Sequence, residues 1–237
     1  DCKEAIMALR YFKEMMPELH IIAAGSLLEF ALNEPDFKMP VGRVQFFYMK
    51  PLSFKEFLSA NGNQKLRQYL ETIQWGDVID SEIHHRCLAL VKEYCTLGGM
   101  PGVLQAYFSE NSYKAAQDMQ SVLLLTYQND FGKYAKNISI DLLKMLYQAI
   151  PTRVAQQFKY SHVSQDFQSR ELKPALAKLL QANIAHSVYA TAGSGLPLNG
   201  LINEKKFKLL FLDIGLLKRA SNLDIELLMQ DNLLLIN

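Results

Sequence analysis

The sequence contains no run of about 18 apolar residues, the length that crosses a bilayer. Its longest apolar stretches, Ser121 to Thr126 and Leu209 to Leu212, fall far short, so no membrane partner is expected. Cysteine is scarce. Cys2, Cys87 and Cys95 form no Cys-x-x-Cys pair, and an odd count of three gives no disulfide framework, which fits a reducing compartment and a cytoplasmic protein. The opening Asp-Cys-Lys-Glu has no initiating Met and no basic stretch leading into an apolar one. It reads as neither a signal peptide nor a native start, and further sequence upstream is expected. Also missing is Gly-x-x-x-x-Gly-Lys-Ser/Thr, the loop whose backbone N–H groups and lysine cradle phosphates. The one Gly-Lys pair, Gly132-Lys133, has Tyr127 in place of the first glycine and Tyr134 in place of the hydroxyl. Ser26 lacks a Gly-x-Ser-x-Gly elbow, and no Ser/His/Asp or Cys/His constellation has a sequence signature. The chain by itself is therefore expected to hold no cofactor and to hydrolyse no ATP.

What is present fills a core: 237 residues, 49% of them hydrophobic. The net charge of +1 hides an asymmetry. Between Pro151 and Arg219 ten Lys/Arg stand against four Asp/Glu, leaving 15 against 20 elsewhere, so that segment is +6 and the rest −5. Such separation points to an anionic partner for one part of the chain.

The pattern predicts an α+β protein, mostly helical, in three parts. Residues 1–50 read as the tail of a parallel α/β layer. An amphipathic helix with Ile6, Leu9, Met15 and Met16 is closed by Pro17, and strands are predicted at 20–24 and 44–49. Residues 51–136 read as a helical subdomain. It opens with the capping box Ser53/Glu56 and the Asn61-Gly62 stop, and continues with helices at 63–74, 79–96, 102–109 and 112–129. Residues 137–237 have winged-helix order. Ser139 caps a helix with Leu142, Leu143, Leu146 and Ile150; a short helix is predicted at 152–158 and a third at about 170–182. A hairpin follows, from 184–191 and 206–212 around Ala192-Gly-Ser-Gly. Pro174 is expected in the first turn of the third helix, where N–H groups lack partners.

Several residues invite chemistry. Lys208 to Asp213 imitates an apolar strand ending in a magnesium-binding aspartate, but Asp213 reads better as the cap of a helix starting near Gly215. Glu204-x-Lys206 resembles half of a nuclease site, yet the nearest preceding aspartate is Asp166. His84, Cys87 and Cys95 share a helical face, but Cys95 lies about 16 Å along the axis from His84, so no metal is expected. The basic segment is the most informative feature. Arg170, Lys173, Lys178 and Gln181 of the third helix, with Lys205, Lys206 and Lys208 on or beside the wing, are candidates for contact with duplex DNA. A solvated face and a protein-contact module are the alternatives.

A set of motifs carries a resemblance. Ala23-Ala-Gly25-Ser26-Leu-Leu, Pro40-Val-Gly42-Arg43-Val and Met49-Lys-Pro51-Leu-Ser-Phe-Lys-Glu56-Phe-Leu come first. Leu97-Gly-Gly-Met-Pro101-Gly, Asn129-Asp-Phe-Gly-Lys-Tyr-Ala, Phe158-Lys-Tyr-Ser and Asn203 to Leu217 continue the series. Together they resemble a prokaryotic AAA-type ATPase family whose members carry a C-terminal domain of unknown function with a nuclease-like fold. The resemblance covers essentially the whole chain and implies its middle part, without Walker A and Walker B. Residues 1–50 would then be the end of an ATPase core, 51–136 its helical lid and 137–237 a winged helix. It further implies ATP and magnesium in the parent protein, Ser26 as a γ-phosphate sensor and Arg43 as an arginine sensor or finger. The missing core, or another protein, is a further expected partner. The rival readings are a non-enzymatic winged-helix DNA-binding regulator and a protein-interaction module.

Overall fold

The computed structural model describes residues 3–25, 42–135, 138–164 and 166–223. Among these the chain is α+β: α-helices dominate, and the strands form one two-stranded antiparallel sheet.

Helix α1 (Lys3–Met15) matches the expected amphipathic start. The two predicted strands behind it do not form: 20–24 and 44–49 carry no strand pairing, and Ile22 and Met49 are 97% and 95% exposed. A strand is stabilised by ladder bonds to a neighbour, and among the described residues none lies beside either segment.

The helical part follows its caps. In α2 (Phe54–Ala60) the Ser53 N–H donates to Glu56 Oε2 at 2.7 Å and the Glu56 N–H donates to Ser53 Oγ at 3.4 Å. Asn61 ends the helix, and Gly62 takes the left-handed conformation. Helices α3 (Gln64–Thr72), α4 (Ser81–Leu97), α5 (Pro101–Glu110) and α6 (Tyr113–Asn129) follow, then the single turn α7 (Phe131–Tyr134). Phe57, Leu97, Val103, Leu104 and Ala116 make the first core.

Helix α8 (Ile140–Ala149) is capped by Ser139 Oγ, which accepts from the Asp141 N–H, and buries Leu142, Leu143 and Leu146; Ile150 is buried just beyond it. The helix predicted at 152–158 is absent. A 3-10 turn spans Pro151–Arg153, Ala155 sits at φ +67°, and Gln157 forms a lone β-bridge to Lys208. The Phe158 N–H donates to the Phe207 carbonyl at 2.8 Å, a long-range bond with no trace in the local pattern. A second 3-10 turn, Tyr160–His162, leads to α9 (Ser169–Gln181). That helix starts early enough to put Pro174 at its sixth position, beyond the first turn, so the Arg170 carbonyl loses its helical donor. Strands β1 (Ala185–Thr191) and β2 (Ile202–Phe211) form the hairpin, and α10 (Ile214–Ala220) closes the fold.

The second core gathers Phe131, α8, Phe158, the inner face of α9, Ile184, Leu209, Phe211 and Leu216. Met100 and Leu123 pack against both cores. The junction is tightest where α10 meets the α4–α5 turn. Asp213, 5% exposed, caps α10 by accepting from the Leu216 N–H at 2.9 Å and also accepts from the Gly99 N–H at 2.7 Å. Gly98 sits at φ +79° and a Cβ there would collide with the Asp213 carboxylate; one on Gly215 would collide with the Leu97 carbonyl. Gln120 Nε2 donates to the Thr96 and Leu97 carbonyls at 3.1 and 3.0 Å, closing the end of α4.

Candidate nucleic-acid interface

Helix α9 presents two faces at 100° per residue. Leu172, Ala175, Leu176 and Leu179 are buried, so Arg170, Lys173, Pro174, Ala177 and Gln181 point the other way. The Glu171 carboxylate accepts the Gln168 N–H at 2.9 Å, which fixes the helix start and occupies the acid nearest Arg170. Lys178 lies at the edge of this face, its Nζ 3.3 Å from Gln181 Oε1.

The hairpin ladder runs Ala185↔Phe211, His186↔Leu210 and Val188↔Lys208, then jumps from Tyr189↔Phe207 to Ala190↔Asn203. Glu204, Lys205 and Lys206 thereby form a bulge within β2, without partners in the β1 register, and the Lys205 N–H donates to Asn203 Oδ1 at 3.0 Å. Lys208 stays in register, on the outer face with Val188 and Leu210. The middle of the hairpin, at the Tyr189↔Phe207 pair before the bulge, is held by Phe158, Tyr160, Tyr189 and Phe207, whose rings meet at 5.3 to 6.4 Å.

Not every cation of the basic segment faces solvent. Lys218 is buried on α10, and burial pushes its ammonium pKa down. Arg219 Nε donates to Ser121 Oγ at 2.8 Å, and the Arg153 guanidinium donates to the His162 carbonyl. The exposed cations of the segment are Lys159, Arg170, Lys173, Lys205, Lys206 and Lys208, and Lys178 is half-buried beside Gln181.

The sequence did not reveal the link between Lys50 and the hairpin module. Lys50 Nζ donates to Asn183 Oδ1 at 3.0 Å, and Asn183 lies past the end of α9 at φ +56°. Partial burial, and then Lys50, push the His186 pKa down, so the imidazole adds no positive charge at neutral pH.

Of the residues the resemblance picked out, Ser26 lies outside the described residues. Arg43 is paired: Glu14 Oε1 accepts from its Nη2 at 2.7 Å and its Nε at 2.8 Å, and from Arg10 Nε at 3.0 Å. Asp213 is spent on backbone N–H groups, as a cap. Gly132-Lys133 lies within α7, and Lys133 pairs with Asp130 at 2.6 Å. Cys87 and Cys95 are free thiols, and among the described residues no three His, Cys, Asp or Glu side chains gather as metal ligands. No described helix is long and apolar enough to cross a membrane.

Residues 88–226, more than half of the chain, match the model of a family described as a domain of unknown function, DUF8612. No curated protein and no solved structure matches the chain.

Proposed function

The chain belongs to the DUF8612 family, whose description names no function. From the motif resemblance and the basic segment we propose that it is the middle part of an AAA-type ATP-binding switch protein whose winged-helix module, 137–237, contacts duplex DNA. The observation that carries the DNA contact is α9: one face sealed into the core, the other offering Arg170, Lys173 and Gln181. The order helix, bridge, 3-10 turn, helix, hairpin supports the winged-helix reading. The Gln157↔Lys208 bridge stands in for a short third strand at the sheet edge. The apolar side chains of Ile22, Phe47 and Met49, standing in solvent on segments that read as strands, support a core sheet completed by other strands. In that parent ATP and magnesium are the cofactors, with Ser26 and Arg43 near the γ-phosphate. The chain alone is expected to bind magnesium–ATP no better than weakly, and calorimetry showing micromolar affinity would overturn this part.

Contacts of this kind neutralise phosphates and release counterions, so affinity falls steeply with salt. We expect little sequence preference and a Kd of about 10⁻⁴ to 10⁻⁶ M at physiological salt. Fluorescence anisotropy with a labelled duplex at two salt concentrations tests it. Arg170→Glu/Lys178→Glu and Lys205→Glu/Lys206→Glu should each weaken binding. No binding at low salt, or binding untouched by both pairs, returns the module to protein contact.

A further inference from the structure

We propose that the loop closing the hairpin, residues 192–201, is an apolar wedge that enters the minor groove of duplex DNA and kinks it; the proposal rests on the DNA-contact reading above. In the most basic part of the chain, this loop carries no charged side chain at all. Leu196 is 88% exposed, Leu198 49%, and Leu201 and Ile202 more than a third. The loop is anchored: Thr191 pairs with Ile202, the Gly193 N–H donates to Thr191 Oγ1, and the Gly200 N–H donates to the Pro197 carbonyl at 3.1 Å. Elsewhere in the hairpin Leu209 and Phe211 are buried and Val188 and Leu210 are about half exposed, so Leu196 at the tip is the most exposed apolar side chain of the hairpin.

Cations stand just behind the tip. Lys205 and Lys206 leave the ladder immediately below it, and Lys208 follows two residues on. An apolar end with cations set back fits a duplex edge, where stacked bases are flanked by phosphate rims. Leucine and proline are among the side chains that part a base step and bend the helix axis by about 20–90°. A lipid surface shares this chemistry at the tip but offers a single plane, whereas the module has a second basic projection, the outer face of α9. A duplex accommodates both, with a helix in one groove and the tip in the next.

The test uses the 237-residue chain and a duplex carrying donor and acceptor dyes at its ends. Wild type should raise end-to-end energy transfer, more for a duplex with a central TA step than for a stiff A-tract. Leu196→Ser/Leu198→Ser should keep most of the anisotropy change and lose the gain in energy transfer; Lys205→Glu/Lys206→Glu should weaken binding itself. These positions are exposed, and unchanged melting curves verify folding. Wild type that binds without bending the duplex, or a leucine variant that still bends it, overturns the wedge and leaves the DNA reading intact. Absence of any DNA binding removes both. Cosedimentation with phosphatidylglycerol vesicles that depends on Leu196 and Leu198, without DNA bending, overturns the wedge in favour of a lipid contact.

Discussion

Residues 3–25 and 42–50 and the two cores of the described chain contain similar apolar residues and treat them differently. In the first region Ile22, Phe47 and Met49 stand in solvent; in the second Leu97, Leu143, Leu179 and Leu216 are almost fully enclosed. The difference lies in what each secondary structure needs. A helix satisfies its own backbone and then needs only a neighbour for its apolar stripe, whereas a strand needs a second strand before it is a strand at all. An amphipathic helical pattern is thus self-sufficient in a way that a β-rich run is not.

The sharpest way to test that contrast is to truncate one residue on each side. Leu143→Ala should cost about 2–5 kcal/mol, read as a fall in denaturation midpoint. Ile22→Ala should stay within about 0.5 kcal/mol. Equal effects would mean that the first region is packed in solution. Next in size is Asp213→Ala, which leaves the buried Gly99 and Leu216 N–H groups without their acceptor and should cost about 1–3 kcal/mol.

The same carboxylate predicts a pH effect. Burial raises the Asp213 pKa against the pull of the backbone N–H groups of Gly99, Leu216 and Gly215. The folded state therefore holds this proton more tightly than the unfolded one, and the group's contribution declines as pH climbs from the ordinary carboxylate range through the raised value. Asp213→Asn should flatten that part of the stability profile, measured by denaturant melts across the interval.

Smaller still is the effect on folding of Arg170→Glu/Lys178→Glu, which should leave the melting temperature in place while weakening DNA binding. The least effect on this chain is expected from Arg43→Ala, an exposed residue paired with exposed Glu14. In the parent protein the same change should lower turnover more than nucleotide affinity, because such an arginine acts on developing charge. Equal loss of both would assign it a structural role.

What the sequence made legible follows the same physical line. Capping residues act over three or four positions, so Ser53, Glu56 and Ser139 announced their helices correctly, and Asp213 announced α10. The hairpin was visible because alternation and a Gly-rich turn are local too. What escaped notice is long-range. The bond from the Phe158 N–H to the Phe207 carbonyl replaces the helix expected at 152–158, and Asp213 reaches back 114 residues to Gly99. Charge counting also overstated the basic face, since nothing local separates Lys218 and Arg219, both turned toward other helices, from Lys205 and Lys206.

The joint around Asp213 has a kinetic consequence. With Met100 and Leu123 shared by both cores and α10 clamped onto the α4–α5 turn, neither half has a private route to opening. Amide protons of Leu104 in one half and Leu179 in the other should then exchange with solvent deuterium at matching rates, through one cooperative opening. The hairpin tip, outside both cores, should exchange freely long before either.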